Sequence, residues 1–349
     1  MRRNSKEVKI GKIKIGGNNP IAVQSMLNVP SYEIQKSVEQ AEKLKECGCD
    51  ILRVALPDKD ALKLIDAIKS KVDIPLIADI HFDYKLAIEA AYAGIDKIRI
   101  NPGNIGSEER IKAVAKVCID KNIPIRIGVN SGSVERHLLE KYGSATSEAM
   151  VESAVYNAKL LEKFDFDNIV ISIKSSSVVK TVNSYKMLTD MCGYPLHLGI
   201  TEAGTEDIGI IKSSIGIGSL LLGGIGDTIR VSLTDDPCKE VKAGINILKS
   251  INMYEKGGIE FVSCPTCGRT RINLIKIAKK AQAALNGINK NLKVAIMGCV
   301  VNGPGEAKDA DIGITGADGV GIIFKKGKVI KKVPEENLVQ ELIKEIENM

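Results

Sequence analysis

Tryptophan is absent from this chain, and aromatic residues make up only 4% of its 349 positions. That scarcity excludes the stacked aromatic platforms on which single-stranded nucleic acids are held. Lysine and arginine are plentiful and the net charge is +6, yet they nowhere form a block long enough to serve as a nucleic-acid tail. A mild positive excess of this kind favours anionic substrates or an acidic protein partner. No apolar run approaches the ~18 residues that a membrane helix needs. The basic start, Met1-Arg-Arg-Asn-Ser-Lys6, lacks the apolar core of a signal peptide. The expectation is a cytoplasmic protein with neither nucleic acid nor membrane among its partners.

A disulfide framework is excluded on the same ground, because thiols stay reduced in the cytoplasm. Of the eight cysteines, Cys47, Cys49, Cys118 and Cys192 fall near the ends or on the apolar faces of expected helices and read as small buried hydrophobes. Cys238 has no obvious place. The other three stand in motifs: Cys264 and Cys267 in Ser263-Cys-Pro-Thr-Cys-Gly268, and Cys299 in Met297-Gly-Cys-Val-Val-Asn-Gly-Pro-Gly-Glu306. A fourth cysteine beside them is missing. Two thiolates in a C-x-x-C turn can grip one metal centre and a third can close round it, leaving one position for another ligand.

The composition that remains, 44% hydrophobic and 26% charged, is that of a globular protein. The length exceeds what one core organises unless part of it is an α/β barrel of roughly 250 residues. Short apolar runs alternate with amphipathic stretches from residue 20 to about 250: Ile21–Gln24, Ile51–Val54, Leu76–Ala78, Lys97–Ile100, Ile125–Ile127, Ile169–Ser172, Leu196–Leu198 and Thr228–Val231. The stripes Ile34, Val38, Ala41, Leu44 and Ile111, Val114, Ala115, Cys118 mark helices between them. Eight βα units predict a (β/α)8 TIM barrel over residues 1–254, in preference to a doubly wound open sheet. Glu255-Lys-Gly-Gly258 reads as a linker. Residues 255–349 change pattern: a basic helix near Arg271–Leu285, short strands near Lys293–Met297, Asp311–Thr315, Val320–Phe324 and Val329–Lys332, and a closing helix near Glu335–Glu347 predict a smaller α+β domain.

Active sites of such barrels lie at the C-terminal strand ends. There the sequence places Gln24-Ser25, Arg53, Asp79 and His81, Arg99 and Asn101, Arg126 and Asn130, Ser172 and Lys174, Thr201-Glu202, and Arg230 with Ser232. Each alone has a bland explanation, an ion pair or a helix cap. Together, four arginines and a lysine converging from five strands are expensive to bury without an anion. Phosphate or diphosphate suits arginine forks. Asp79 and Glu202 are the carboxylates available for proton transfer. The glycines of Gly216-Ile-Gly218 and Gly223-Gly-Ile-Gly226 make no dinucleotide fingerprint and read as serving a tight turn.

For the cysteines two readings stand. Structural zinc normally takes two C-x-x-C knuckles or adds histidines, and all three histidines, His81, His137 and His197, lie in the barrel. Zinc would need a cysteine such as Cys238 from outside the second domain. An iron–sulfur cluster accepts three thiolates and a non-cysteine ligand on its last iron. Glu306, seven residues past Cys299, is the nearest candidate, and a carboxylate there is a harder, more exchangeable ligand than thiolate. The radical-SAM spacing C-x3-C-x2-C is absent.

The motifs resemble one family: 4-hydroxy-3-methylbut-2-enyl diphosphate synthase of the non-mevalonate isoprenoid pathway. The stretches that carry the resemblance are Ala78-Asp-Ile-His-Phe-Asp83, Lys97-Ile-Arg-Ile-Asn-Pro-Gly-Asn104, Ile125-Arg-Ile-Gly-Val-Asn-Ser-Gly132, Leu198-Gly-Ile-Thr-Glu-Ala-Gly204, Gly226-Asp-Thr-Ile-Arg-Val-Ser-Leu-Thr234 and the two cysteine motifs. They run through nearly the whole chain in order, and the short linker matches the two-domain bacterial form. The resemblance implies a barrel followed by a [4Fe-4S] domain like those of sulfite and nitrite reductases, with Cys264, Cys267, Cys299 and Glu306 as ligands. It implies reductive ring opening and dehydroxylation of 2-C-methyl-D-erythritol 2,4-cyclodiphosphate, with ferredoxin or flavodoxin as electron donor. Arg53, Arg99, Arg126 and Lys174, with Arg230 and Ser232, would hold the diphosphate. Glu202 would donate a proton. Asp79, His81, Asn130 and Asn302 would position substrate oxygens. Glu306 would yield its iron to substrate. It further implies a homodimer in which one subunit's cluster domain closes over the other's barrel. The alternatives are a non-redox pterin- or phosphosugar-handling barrel with structural zinc, and a zinc-bound nucleic-acid module built on Arg269, Arg271, Lys276, Lys279 and Lys280.

Overall fold

The computed structural model describes residues 2–80, 82–285, 288, 290–299, 307–317 and 319–349. Its backbone divides into two units, Met1–Met253 and Tyr254–Met349.

In the first unit the Ile-, Leu- and Val-rich runs become β3 (Ala22–Met26), β4 (Ile51–Ala55), β5 (Leu76–Ile80), β6 (Lys97–Ile100), β7 (Ile125–Asn130), β8 (Ile169–Lys174), β9 (His197–Leu198) and β10 (Thr228–Ile229). They pair in parallel in the order β8-β7-β6-β5-β4-β3-β10-β9, and the ring closes where Ile171 bridges Leu196. Between and after them run α1 (Ile34–Glu46), α2 (Lys63–Lys69), α3 (Tyr84–Tyr92), α4 (Pro102–Ile105), α5 (Glu108–Lys121), α6 (Arg136–Tyr142), α7 (Ser147–Glu162), α8 (Val178–Thr189), α9 (Glu206–Leu222) and α10 (Pro237–Ser250). The expected stripes are the buried faces: Val38, Ala41 and Leu44 of α1, and Ile111, Val114, Ala115 and Cys118 of α5. This is the TIM barrel that the alternation predicts.

β9 and β10 are two residues each, so the ladder at the closing seam is short. Tyr185 of α8 reinforces it. Its ring is fully buried, and its hydroxyl accepts from the Ile173 N–H at 3.0 Å and donates to the His197 carbonyl, tying β8 to β9. Gly216 lies inside α9 rather than in a turn. A Cβ there would stand 2.6 Å from Ile200, so the missing side chain lets the helix approach the segment after β9. The turn before β10 is made by Gly223–Gly226 instead, with Gly224 at φ +77 and Gly226 at φ +126.

Ahead of the barrel lies a hairpin that the strand count above does not include. β1 (Val8–Ile10) and β2 (Ile13–Ile15) pair antiparallel across the two-residue turn Gly11-Lys12, with Gly11 at φ +53 as such a turn requires. Its inner face, Val8, Ile10 and Ile15, packs on Ala22, Ile51, Ile77 and Val170 inside the N-terminal end of the barrel. The alternation in Val8-Lys-Ile-Gly-Lys-Ile-Lys-Ile15 was the available signal.

The second unit is a five-stranded sheet in sequence order: β11 (Ile259–Ser263), β12 (Leu292–Ile296), β13 (Ile312–Ala317), β14 (Val320–Lys325) and β15 (Lys328–Pro334). β11, β12 and β13 are parallel, and the last two pairings are antiparallel. α11 (Leu274–Ala284) and α12 (Leu338–Glu347) contribute Leu274, Ile277, Ala281, Leu338, Leu342 and Ile346 to one core with Val294, Ile312 and Ile314. β15, at the sheet edge, is exposed along most of its length and carries Lys328, Lys331 and Lys332, charges that discourage pairing with another chain. Among the described residues no helix is long and apolar enough to cross a membrane.

The hairpin is a stopper for the barrel, and Ile10 is its most enclosed side chain together with Ile15. Ile10→Ala is expected to destabilise the protein by about 2–4 kcal/mol, read as a lower unfolding midpoint in urea. An unchanged midpoint would show that the hairpin is dispensable for closing the barrel.

Candidate active site at the barrel mouth and the cysteine-bearing sheet edge

Alternate residues of a barrel strand face its interior, so each inward row can be followed from bottom to top. The rows begin apolar and end polar. Ala22 is followed by Gln24 and Met26, Ile51 by Arg53, Ile77 by Asp79, and Val170 by Ser172 and Lys174. The neighbouring β6 and β7 are cationic in register: Lys97 precedes Arg99 on its row, and Arg99 stands opposite Arg126. Arg53, Asp79, Lys97, Arg99, Arg126 and Lys174 are all buried, and Arg230 is partly so. Among the described residues these six cationic side chains meet two buried carboxylates, Asp79 and Glu240.

The carboxylates are already engaged. Asp79 accepts from Arg99 Nη1 at 3.1 Å and lies 3.9 Å from Arg53 Nε. Glu240, on α10, takes the Nε and Nη2 edge of Arg230 at 3.3–3.4 Å. Arg53 donates to the Met26 thioether at 2.8 and 3.0 Å, and Arg230 Nη1 points at the same sulfur from 3.8 Å. A thioether is a weak acceptor, poor recompense for two guanidinium groups. Arg126 reaches only Ser172 Oγ, at 3.3 Å. Among the described residues, Lys97 Nζ, Arg99 Nε, Arg126 Nε and Nη2, and both amide atoms of Gln24 are buried and find no hydrogen-bond partner. Buried polar atoms are rarely left so, and those of Arg99 and Arg126 belong to charged groups.

Burial shifts the cationic groups in the direction expected for a crowded positive cluster. Desolvation, opposed by Asp79, pushes Arg53 down to about 10. Burial and then the neighbouring arginines lower Lys97 and Lys174 well below the ordinary lysine value, and Arg126 well below that of arginine. A guanidinium keeps its proton at neutral pH, so Arg126 stays charged within the cluster. His197 is held neutral by burial and by Lys174. Its Nε2 lies 3.3 Å from Lys174 Nζ and its Nδ1 2.8 Å from Thr228 Oγ1. With the ring neutral, Nδ1–H donating to Thr228 and Nε2 accepting from Lys174 satisfies both bonds.

Two glycines make room for this cluster. A Cβ on Gly128 would stand 2.6 Å from Arg99 Nε, and one on Gly199 would stand 2.8 Å from Lys174 Nζ and 2.6 Å from the Arg230 carbonyl. A glycine within a strand pattern is the sequence sign of such close approach.

Of the residues expected from the strand ends, Arg53, Asp79, Arg99, Arg126, Lys174 and Arg230 come together here. Ser232 is half-buried in the loop after β10. Asn130 ends β7 and is half-buried, its side chain capping the short turn Ser131–Ser133. Glu202 is exposed in the loop after β9 at φ +51, a left-handed conformation uncommon for a glutamate. His81, Asn302 and Glu306 lie outside the described residues. Lys97, His197, Met26 and Glu240 are additional members. The first two and Met26 were legible from row parity alone, two residues before Arg99, before Gly199 and after Gln24. Glu240 sits on a helix and carries no such sign.

In the second unit β11 and β12 are adjacent and parallel, with Ser263 opposite Ile296, so the loops after them leave from one edge. Cys264 opens the first loop, and Cys299 lies in the second. The loops are laced together: Cys264 N–H donates to the Ile296 carbonyl at 3.2 Å, Gly298 N–H to Cys264 Sγ at 3.1 Å, and Arg271 N–H to the Gly298 carbonyl at 3.0 Å. Cys267 is exposed, and hydrogen bonds from the Arg269 backbone and side chain lower its thiol below the ordinary value. Among the described residues no three His, Cys, Asp or Glu side chains converge on a point that would hold a single metal ion. Three thiols spaced along one edge, with a backbone N–H aimed at a sulfur, fit a multi-iron cluster, whose thiolates are spread over several irons and tuned by such bonds.

Residues 5–245 match the family model described as the GcpE TIM-barrel domain, and residues 260–348 match the GcpE protein C-terminal domain. The chain belongs to the GcpE family, the 4-hydroxy-3-methylbut-2-enyl diphosphate synthases. It is 59% identical over 348 residues to the 4-hydroxy-3-methylbut-2-en-1-yl diphosphate synthase (flavodoxin) of Clostridium tetani, covering 100% of this chain and 99% of that protein. It is 58% identical over 349 residues to the enzyme of the same name from Caldanaerobacter subterraneus subsp. tengcongensis, covering 100% and 98%. Among solved structures, dihydropteroate synthase from Stenotrophomonas maltophilia aligns with a TM-score of 0.52 at 14% identity, over 71% of this chain and 98% of that one. That likeness shows the barrel fold alone. The pterin- or phosphosugar-handling alternative is not favoured beside the full-length match to the GcpE synthases.

If the mouth is strained by unmatched cations, removing one should stabilise the empty protein. Arg126→Met is expected to raise ligand-free stability by about 1–2 kcal/mol. The same substitution should abolish the rise in melting temperature that inorganic pyrophosphate gives the wild-type protein. A less stable variant would mean that the guanidinium is already satisfied.

Proposed function

We propose that this chain opens the ring of 2-C-methyl-D-erythritol 2,4-cyclodiphosphate and removes a hydroxyl. Two electrons and the two protons that balance them enter, and 4-hydroxy-3-methylbut-2-enyl diphosphate and water leave, as a step of isoprenoid precursor synthesis. The observation that carries the reading is the cation-rich barrel mouth, in a chain that matches synthases of that name along its whole length. The alternatives lack that combination.

The diphosphate is the anion that the mouth is built for. Arg53, Arg99, Arg126, Lys174 and Arg230 supply forked and single donors, and Ser232 a hydroxyl. Binding there would satisfy the orphaned guanidinium N–H groups and restore the proton affinity of Lys174. Asp79 is committed to Arg99 and Arg53, so its work is to hold those donors and, with His81, Asn130 and Asn302, to orient substrate oxygens. Glu202, exposed and not tied into that ion-pair network, is the proton donor. Cys264, Cys267 and Cys299 would hold a [4Fe-4S] cluster with Glu306 as the exchangeable fourth ligand. That group supplies single-electron reduction when bound. The electron donor is reduced flavodoxin or ferredoxin, the former being the one named for the relatives. The reduced thiols that such a cluster needs suit the cytoplasm as its compartment.

The working form is a homodimer. α9 is almost uncharged after its first turn, with only Lys212, and it exposes Ile208, Ile211, Ile215 and Leu222 by 46–70%. Val179 and Met191, at the ends of neighbouring α8, extend that apolar surface. A row of exposed aliphatic side chains on one helix marks an interface, and a second copy would cover it with the same row.

Protein purified without oxygen should be brown with about four irons per chain. A colourless protein carrying zinc would overturn the redox reading. Glu202→Gln is expected to keep colour and substrate binding and to lose most turnover, whereas unaltered turnover would remove Glu202 from the chemistry. Ile211→Glu with Ile215→Glu should halve the sedimenting mass, and an unchanged mass would exclude this face as the interface.

A further inference from the structure

Glu240 has no part in the residue roles above, yet its carboxylate is buried against the cationic mouth. It sits in the first turns of α10 and is 3% exposed. A carboxylate that served only the helix dipole would face solvent. This one faces inward and gathers donors from three residues of two segments, β3 and the loop after β10. Its Oε1 accepts from the Leu233 N–H at 2.9 Å, Arg230 lies along its edge at 3.3–3.4 Å, and Ser25 Oγ of β3 is 3.4 Å from Oε2.

The short bond goes to the backbone, and the contacts with the guanidinium are longer than charge-assisted bonds usually are. Arg230 is therefore oriented without being saturated. Its Nε and Nη2 edge is turned to Glu240, while Nη1 is directed at the Met26 sulfur, on which Arg53 also converges. The Leu233 bond fixes the residue next to Ser232. The chain continues to Thr234, whose N–H donates to the Gly204 carbonyl at 3.0 Å, two residues beyond Glu202. One carboxylate thus sets the pose of a cation, a hydroxyl-bearing loop and, through that loop, the segment that carries Glu202.

We infer that Glu240 is a positioning residue of the anion site, aiming Arg230 and the Ser232 loop at the diphosphate without touching it. The inference rests on the diphosphate reading of the barrel mouth. Its test uses the cluster-loaded enzyme, with inorganic pyrophosphate as calorimetric probe and the cyclic diphosphate as substrate. Glu240→Gln keeps the shape and an acceptor for Leu233 but removes the charge facing Arg230. It is expected to weaken pyrophosphate binding about ten-fold and to raise KM similarly, with kcat and visible absorbance little changed.

In an Arg230→Ala background the same substitution should cost almost nothing further, because its effect passes through Arg230. A merely structural role would give equal losses in both backgrounds, and that result overturns the inference. Should Glu240→Gln fold poorly, Glu240→Asp, shorter by one methylene, is expected to show a smaller loss at native melting temperature, again absent without Arg230. Wild-type enzyme that does not bind pyrophosphate would overturn the diphosphate reading and this inference with it. Wild-type binding with unchanged affinity in the variant overturns this inference alone.

Discussion

The first unit is organised around a charge imbalance that it cannot resolve by itself. Six cationic groups are drawn from β4, β6, β7, β8 and the end of β10 into a volume where Asp79 and Glu240 are the buried carboxylates described. Enclosing such a set is unfavourable unless geometry stops the groups from turning away. The surrounding structure supplies that restraint. Gly128 and Gly199 let Arg99 and Lys174 lie against neighbouring backbone, Tyr185 fastens the seam beside Lys174, and the two carboxylates hold the outer arginines by one edge. The molecule keeps its binding groups preorganised and leaves their remaining valences open, which is what recognition of a polyanion needs.

How much of this could be read beforehand follows from where the information lies. Barrel strands announce themselves because apolar runs of three or four residues recur between helical stripes, and all eight were found. Parity along a strand then identifies which polar residues share the interior, so Arg53, Asp79, Arg99, Arg126 and Lys174 were legible as a set. Parity applied more strictly would have added Lys97, His197 and Met26. Glu240 was not legible, since a glutamate in the first turn of a helix has an ordinary explanation in the helix dipole and only packing shows which way it faces. The β1–β2 hairpin was missed because three-residue strands rich in lysine look like a solvated tail until the barrel supplies their other face. Asn130 was expected as a substrate contact, and the fold also gives its side chain a capping task.

The second unit follows a different logic. Its cysteines are not gathered by burial but by topology: two adjacent parallel strands end at one edge, and backbone bonds between the following loops set the spacing of Cys264 and Cys299. Sequence spacing identified C-x-x-C and its distant partner. The register that brings them to one edge is a property of the sheet, which no local pattern encodes. The family match extends over both units, so one chain joins a site that concentrates negative charge to a set of thiolates suited to electron transfer.

The hairpin at the foot of the barrel has a consequence for traffic. With Val8, Ile10 and Ile15 seated on the lowest layer, the N-terminal end of the barrel is plugged, and the mouth lies at the other end of the strands. Whatever enters must leave by the same opening, past the same arginines, and a product that keeps its diphosphate leaves against the attraction that drew the substrate in. Clearing the mouth thus becomes a step with its own barrier, and binding strength there is bounded from above by the need to let go.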